Sequence, residues 1–314
     1  MAADAIRSAT TYTNKNEDDL PKLGLNRSEM MQLQDYDVAT TYQATVLSSE
    51  RISPPDSEHE VREITIEVQD PDFQAKVGQN LGVLAPGSEA FGHDHHFRLY
   101  GVADVPQTNS EGLQRFGICV RRCTYLDPYS GEEFPGIASN YLCDLGTNDT
   151  LTITGPYGQP FKFPANYNAT LILISAGTGI APFRAFVKSI YADQPGFAGR
   201  IMLFHGGQAG LDMLYRNDEK DDFAMYYDRE TFDAINALSK RPGWNDDIDW
   251  ETAIKSRAVE LTKLLAEPTT YVYVAGVKEV LKELDAALAA VAGSLWSQWK
   301  AELESDGRWI ELVY

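Results

Sequence analysis

From Tyr42 onward the chain alternates apolar and polar residues in short runs. Val61-Arg62-Glu63-Ile64-Thr65-Ile66-Glu67-Val68 has the two-residue period of a half-buried strand. Comparable runs at 42–47, 80–84, 97–102, 116–121 and 151–155 are separated by loops rich in Pro, Gly and Asp. Many short strands of this kind predict an antiparallel β-barrel, with one helix beginning at Ser139. After Pro164 the texture changes. Short apolar strands bounded by glycine are expected at 171–176, 200–205 and 271–275, with helical periodicity at 182–192, 251–266 and 277–291. Alternation of strand and helix predicts a parallel, Rossmann-like α/β sheet. Residues 216–250, rich in Asp, Asn, Tyr and Trp, read as mostly loop. Residues 1–35 read as an irregular extension with a short helix near 28–31. The expected organisation is thus an extension over 1–35, a barrel domain over 36–165 and an α/β domain over 166–314.

A chain of 314 residues, 43% of them hydrophobic, suffices for two ordinary cores. It contains no apolar run long enough to span a membrane, and Met1 to Leu25 lacks the apolar stretch of a signal peptide. Cys119, Cys123 and Cys143 form no close CxxC pair, so reduced thiols in a cytoplasmic protein are expected. The net charge of −19 argues against general nucleic-acid binding. His93-Asp94-His95-His96 has metal-ligand residue types. Neighbours on a strand point to opposite faces, however, and no distant set completes a site, so no metal is expected.

The candidate chemistry begins at Ser175-Ala176-Gly177-Thr178-Gly179-Ile180-Ala181-Pro182-Phe183, between an apolar strand and a helical pattern. Free N–H groups at a helix start attract phosphate, glycines admit a nucleotide close to the backbone, and proline suits the first helical turn. The same pattern alone also describes a tight turn without a ligand. Four further segments accompany it: Arg98-Leu99-Tyr100, Gly136-Ile137-Ala138-Ser139-Asn140-Tyr141-Leu142, Tyr273-Val274-Ala275-Gly276 and the ending Arg308-Trp309-Ile310-Glu311-Leu312-Val313-Tyr314.

In order and spacing these five segments resemble the plant-type ferredoxin–NADP+ reductase family, from about Tyr42 to Tyr314. The resemblance implies an FAD-dependent oxidoreductase that moves electrons between NADP(H), with NAD(H) an alternative, and a one-electron carrier such as ferredoxin or a flavodoxin-like protein. It implies that Arg98 meets the FAD pyrophosphate, that Tyr100 packs on the isoalloxazine with Leu99 and Gly101 beside it, and that Gly136, Ile137, Ala138 and Ser139 form a helix start aimed at the pyrophosphate. Tyr125 falls where the family stacks an aromatic on adenine, Cys119 is a further cofactor-binding position, and Arg121, matching one of a basic pair in the family, would approach the phosphates of the nicotinamide nucleotide. Gly177, Thr178, Gly179, Pro182 and Gly276 would hold the pyridine nucleotide. Ser239, Lys240 and Arg241 would meet its 2′-phosphate, although Asp246, Asp247 and Asp249 follow closely. Tyr314 would gate the flavin face, with Tyr100 and Glu311 at the reacting end.

Three positions depart from the family pattern. Gly101 stands for a serine, Ala275 for a cysteine, and Leu312 for a glutamate, with Glu311 beside it. These departures keep open a flavin-bearing docking module with little turnover, and Asp247 and Asp249 near the ribose site keep open an NADH-dependent reductase component of a multicomponent oxygenase.

Overall fold

The computed structural model describes residues 33–87, 95–242 and 247–313. The short helix expected near 28–31 lies outside them. Leu33–Asp35 forms a single 3₁₀ turn. The unit from Asp37 onward carries the sheets and helices.

Its first half is built on strands β1 (Thr41–Arg51), β2 (Val61–Val68), β3 (Asn80–Pro86), β4 (His95–Gly101), β5 (Gln107–Thr108) and β6 (Gln114–Arg121). A small ribbon of β7 (Thr124–Leu126) and β8 (Glu133–Pro135) follows, then helix α1 (Ile137–Asp144) and strand β9 (Thr150–Tyr157). The main sheet runs β4-β3-β9-β1-β2-β6-β5, antiparallel throughout. It curls into a barrel: Val102, just past β4, bridges Ile118 of β6. Alternation does its expected work, with Val61, Ile64, Ile66 and Val68 all buried, and Leu142 of α1 packs into the same core. Glu63 breaks the rule, since it is a carboxylate only 7% exposed.

The second half comprises β10 (Thr170–Ala176), α2 (Ile180–Asp193), β11 (Arg200–Gly207), β12 (Phe232–Leu238), α3 (Trp250–Lys255), α4 (Ala258–Leu265), β13 (Thr270–Gly276), α5 (Lys278–Ala292), α6 (Trp296–Ser305) and β14 (Trp309–Val313). Its sheet runs β12-β11-β10-β13-β14, all parallel. Both faces are covered, which is why β10 is a continuous apolar run. Leu171 and Leu173 join the core under α2, and Ile172 and Ile174 the core under α3 to α6.

Three expectations are corrected. The stretch 216–250 is not merely loop, because Phe232–Leu238 is the edge strand β12. With one hydrogen-bonded neighbour and a polar-interrupted sequence, it lacked the apolar signature of its companions. The single helix expected over 251–266 is two, α3 and α4, separated at Ser256-Arg257. α1 starts at Ile137, two residues before Ser139.

The halves share one core. Ile52, Val61, Ala103 and Cys119 of the barrel pack with Leu171, Ile180, Phe183 and Tyr215 of the α/β half. Arg184 of α2 is set into this boundary at 4% exposure. Its Nη1 lies 2.9 Å from Glu63 and donates to the Ala103 carbonyl at 2.8 Å, and its Nη2 lies 3.3 Å from Asp104. Its Nε pairs with Asp222, and its guanidinium sits 4.7 Å over the Tyr215 ring. Lys220 closes the cluster on Glu63 at 2.7 Å. Burial works against the Arg184 charge, but Tyr215 and the three surrounding carboxylates reverse that and hold it more firmly protonated than free arginine.

Removing one partner of a buried pair strands the other. Arg184→Met should therefore lower the unfolding free energy by ~3–5 kcal/mol, measured by urea denaturation. A loss below ~1 kcal/mol, the scale of a surface pair, would mean that Lys220 alone satisfies Glu63.

Candidate functional site

The sequence motifs of the barrel half converge on one cleft of about 350 Å³ between the two halves. Arg98, Leu99, Tyr100 and Gly101 enter it from β4, Cys119 and Arg121 from β6, and Tyr125 from β7. Gly136 to Ser139 enter at the start of α1. Thr178 and Pro182 enter from the α/β half. Ala181 and Leu312, both inside the quoted motifs, also line it, as do Asn80, His96, Cys123 and Thr124, which sequence reasoning did not assign to the site. Asn80 had a findable signal, since it sits at the start of the strand that pairs with the Arg98–Tyr100 motif strand, opposite Gly101.

α1 is anchored by Arg122, whose guanidinium meets Glu60 at 2.8 Å, Asn140 at 3.0 Å and Asp144 at 2.9 Å. Asn140 returns two hydrogen bonds, to the Cys123 and Gly136 carbonyls. Ser139 does not cap the helix. Gly136 is the N-cap, without a side-chain cap bond, and Ser139 Oγ accepts from the Cys123 N–H at 3.1 Å. The first turn of α1, without a side-chain cap, lines the cleft, and uncapped first-turn N–H groups suit an anion. Tyr125 is 54% exposed and stacks on Phe134 at 5.5 Å and 25°. Arg98 donates to the Phe97 carbonyl, and Arg121 lies 3.0 Å from the His59 ring. Cys119 is buried beside Tyr215, and burial pushes its thiol up to about 12, so it acts as wall rather than nucleophile.

The glycine turn lies at the mouth of the parallel sheet. Gly177 takes φ +52 and Gly276 φ +141, backbone regions that glycine tolerates. At Gly179 a Cβ would come 2.4 Å from the Ala275 carbonyl oxygen, so β13 and the turn touch backbone to backbone. His205, in register with Ser175, is fully buried beside the Gly177 backbone. Burial, then the Arg216 charge, lowers it to about 3, so it is neutral.

Two groups of expected residues lie elsewhere. Glu311 points to the other face of β14: Trp309 Nε1 donates to its Oε1 at 2.5 Å, and Lys300 lies 5.5 Å over the Trp309 ring. Adjacent strand residues face opposite ways, so it is Leu312 that enters the cleft, and Glu311 is withdrawn as a reacting group. Ser239, Lys240 and Arg241 are also outside this cleft. Ser239 is buried, and Lys240 lines a second depression of about 630 Å³ with Asp247, Asp249, Glu251 and Glu283. There Lys240 pairs with Asp249 at 3.3 Å, and Asp249 also caps α3 by accepting from the Thr252 N–H. Burial, then Asp247, raises the Glu283 carboxyl. Tyr314, His93, Asp94 and Asp246 lie outside the described residues.

Comparison with known proteins is decisive. A ferredoxin–NADP reductase from Spirulina sp. is 30% identical over 282 residues, covering 87% of this chain and 95% of that one. The chain belongs to the ferredoxin–NADP reductase family. A ferredoxin–NADP reductase from Picosynechococcus sp. is 32% identical over 264 residues; the match takes in 81% of this chain but 65% of that longer protein. The chloroplastic ferredoxin–NADP reductase of Spinacia oleracea is 31% identical over 243 residues, covering 76% and 66%. The family model for the oxidoreductase NAD-binding domain matches residues 173–285. In fold, the ferredoxin–NADP+ reductase of Plasmodium falciparum superposes with a TM-score of 0.65 at 20% identity, covering 89% of this chain and 98% of that one. Among the described residues, no helix is long and apolar enough to cross a membrane.

Because Trp309 occupies Glu311, Glu311→Gln, which keeps the acceptor oxygen, should leave the family's NADPH–ferricyanide turnover essentially unchanged. A loss approaching ~100-fold, the scale of a general acid or base, would return Glu311 to the reacting atoms.

Proposed function

We propose that this chain is an FAD-dependent oxidoreductase that transfers electrons between NADP(H) and a one-electron carrier protein, with ferredoxin the first candidate. The observation that carries the reading is the single cleft in which Arg98, Tyr100, Tyr125 and the start of α1 meet Thr178 and Pro182 of the α/β half. The donor set fits the group. Arg98 and the α1 N–H groups would hold its pyrophosphate. Tyr100 would cover one face of the isoalloxazine, and Tyr125, backed by Phe134, would pack on adenine. Bound FAD supplies two-electron acceptance and single-electron release. Thr178 and the turn at Gly177–Gly179 would receive the pyridine nucleotide, with Gly276 giving it room. Leu312, Ala181 and Pro182 keep water from the reacting end. Tyr314 would gate the flavin face. The reading includes a cytoplasmic protein.

A second reading, an NADH-dependent reductase component of a multicomponent oxygenase, is favoured by one observation. Among the described residues that line the second depression, Lys240 is the one cation, and it is paired with Asp249 among further carboxylates. Such a lining repels a 2′-phosphate dianion and suits ribose hydroxyls.

The test of the main reading is direct. Purified full-length protein should be yellow, release FAD rather than FMN on denaturation, and reduce ferricyanide with NADPH. A colourless protein that takes up no FAD on titration refutes the reading.

Coenzyme choice is tested by kcat/KM for NADPH and NADH. NADPH should be preferred, and Lys240→Ala with Arg241→Ala should cut the preference about tenfold or more, since a charge-assisted phosphate contact contributes ~1.5–3 kcal/mol. Asp249→Asn keeps a helix cap but frees Lys240, so it should strengthen the preference. Equal or better use of NADH by the unaltered protein would instead favour the oxygenase reading.

A further inference from the structure

The cleft divides by chemistry. Its polar lining from the barrel includes Arg98, Arg121, Thr124, Ser139 and the exposed Tyr125. The inner end, where the halves meet, is formed by Tyr100, Gly101, Thr178, Pro182 and Leu312, with Ala275 behind them. Gly101 has no side chain, Pro182 and Leu312 offer no hydrogen bond, and the hydroxyl-bearing Tyr100 and Thr178 are already engaged. Asn80 adds a carboxamide. It lines the same cleft, pairs with Gly101 across β3 and β4, and places its Oδ1 3.5 Å from where a Cβ on Gly101 would lie. The Cγ of Pro182 is 3.7 Å from that same point. Barrel carboxamide and α/β proline therefore converge over a residue with no side chain.

The carboxamide is also uncommitted. Arg98 donates to the Phe97 carbonyl, Arg121 meets His59, Thr124 bonds Glu133, and Ser139 bonds Cys123 and Gly136. Thr178 and Tyr100 are engaged as well. The Asn80 side chain has no hydrogen-bond partner among the described residues. A half-buried amide in a cleft, with both donor and acceptor unspent, is a recognition group in want of a ligand.

We propose that Asn80 is the hydrogen-bonding residue for the isoalloxazine rim at the inner end of the cleft, standing in for the side chain that Gly101 lacks. The inference rests on the FAD reading above. A tricyclic ring with nitrogen and carbonyl oxygen on its edge needs partners there once water is excluded. The oxidised rim presents acceptors, and the reduced rim adds an N–H donor. A carboxamide answers both, because it carries an NH₂ and a carbonyl on one planar group.

The test uses the full chain stripped of flavin and retitrated with FAD, followed by fluorescence. Asn80→Ala should weaken FAD binding roughly threefold to tenfold, the value of one net hydrogen bond, and lower kcat with little change in the KM for NADPH. The isosteric Asn80→Asp, which removes the NH₂ donor without disturbing packing, should weaken binding at least as much. Gly101→Ser introduced into Asn80→Ala should restore most of the loss. The nearest atoms to its new Cβ lie at 3.5 Å or beyond, so the serine enters without a clash. A generic packing defect would not be repaired by a hydroxyl at 101. If both Asn80 variants bind FAD and turn over as the parent does, or if Gly101→Ser restores nothing, the assignment is wrong while the FAD reading stands. If the parent itself takes up no FAD, both readings fall.

Discussion

Everything in this molecule that resembles chemistry depends on the two halves meeting at a fixed place, and the Arg184 cluster fixes that place. A guanidinium on α2 is clasped by Glu63 and Asp104 of the barrel and by Asp222 of its own half. A buried ionic group of this kind is a poor source of net stability compared with a well-packed apolar core. Its contribution is directional. Apolar packing such as that of Ile52, Val61 and Phe183 tolerates sliding, whereas three carboxylates around one planar cation accept one alignment. With α2 held, Pro182 two residues earlier is held over Gly101, and the cleft has its inner wall.

Much of this was legible from the chain. The alternation over 61–68 revealed a barrel strand, and the apolar run at 171–174 a parallel one buried on both faces. Four of the five motifs send residues into the cleft, because glycine turns and strand-borne arginine and tyrosine keep their local geometry wherever they fold. What stayed hidden depended on contacts distant in sequence. Glu63 reads as an ordinary outward polar residue until Arg184, over a hundred positions later, is placed against it. Glu311 and Leu312 are neighbours whose roles are set by which face Trp309 claims. Lys240 looks like a free phosphate ligand until Asp249 folds back onto it. Edge strand β12 and helix α6, with its three buried positions Trp296, Trp299 and Leu303, had too sparse an apolar pattern to stand out.

The departures at Gly101, Ala275 and Leu312 share one physical effect. Each replaces a polar or polarisable side chain by an apolar one or none, so that the hydrogen bonds that remain there count for more than they would in water. A site of this composition is sensitive to a single polar substitution. It is also well suited to separating a reactive ring from solvent.

The three cysteines carry a practical consequence of the same architecture. Burial raises Cys119 to about 12 and Cys143 to about 11, leaving almost no thiolate at neutral pH. Cys123 is exposed on the cleft wall, within two residues of both Arg121 and Tyr125. The folded protein therefore offers thiol reagents one selective attachment point, already placed at the mouth of its cleft. A reporter fixed there would sense whatever enters without any engineered residue.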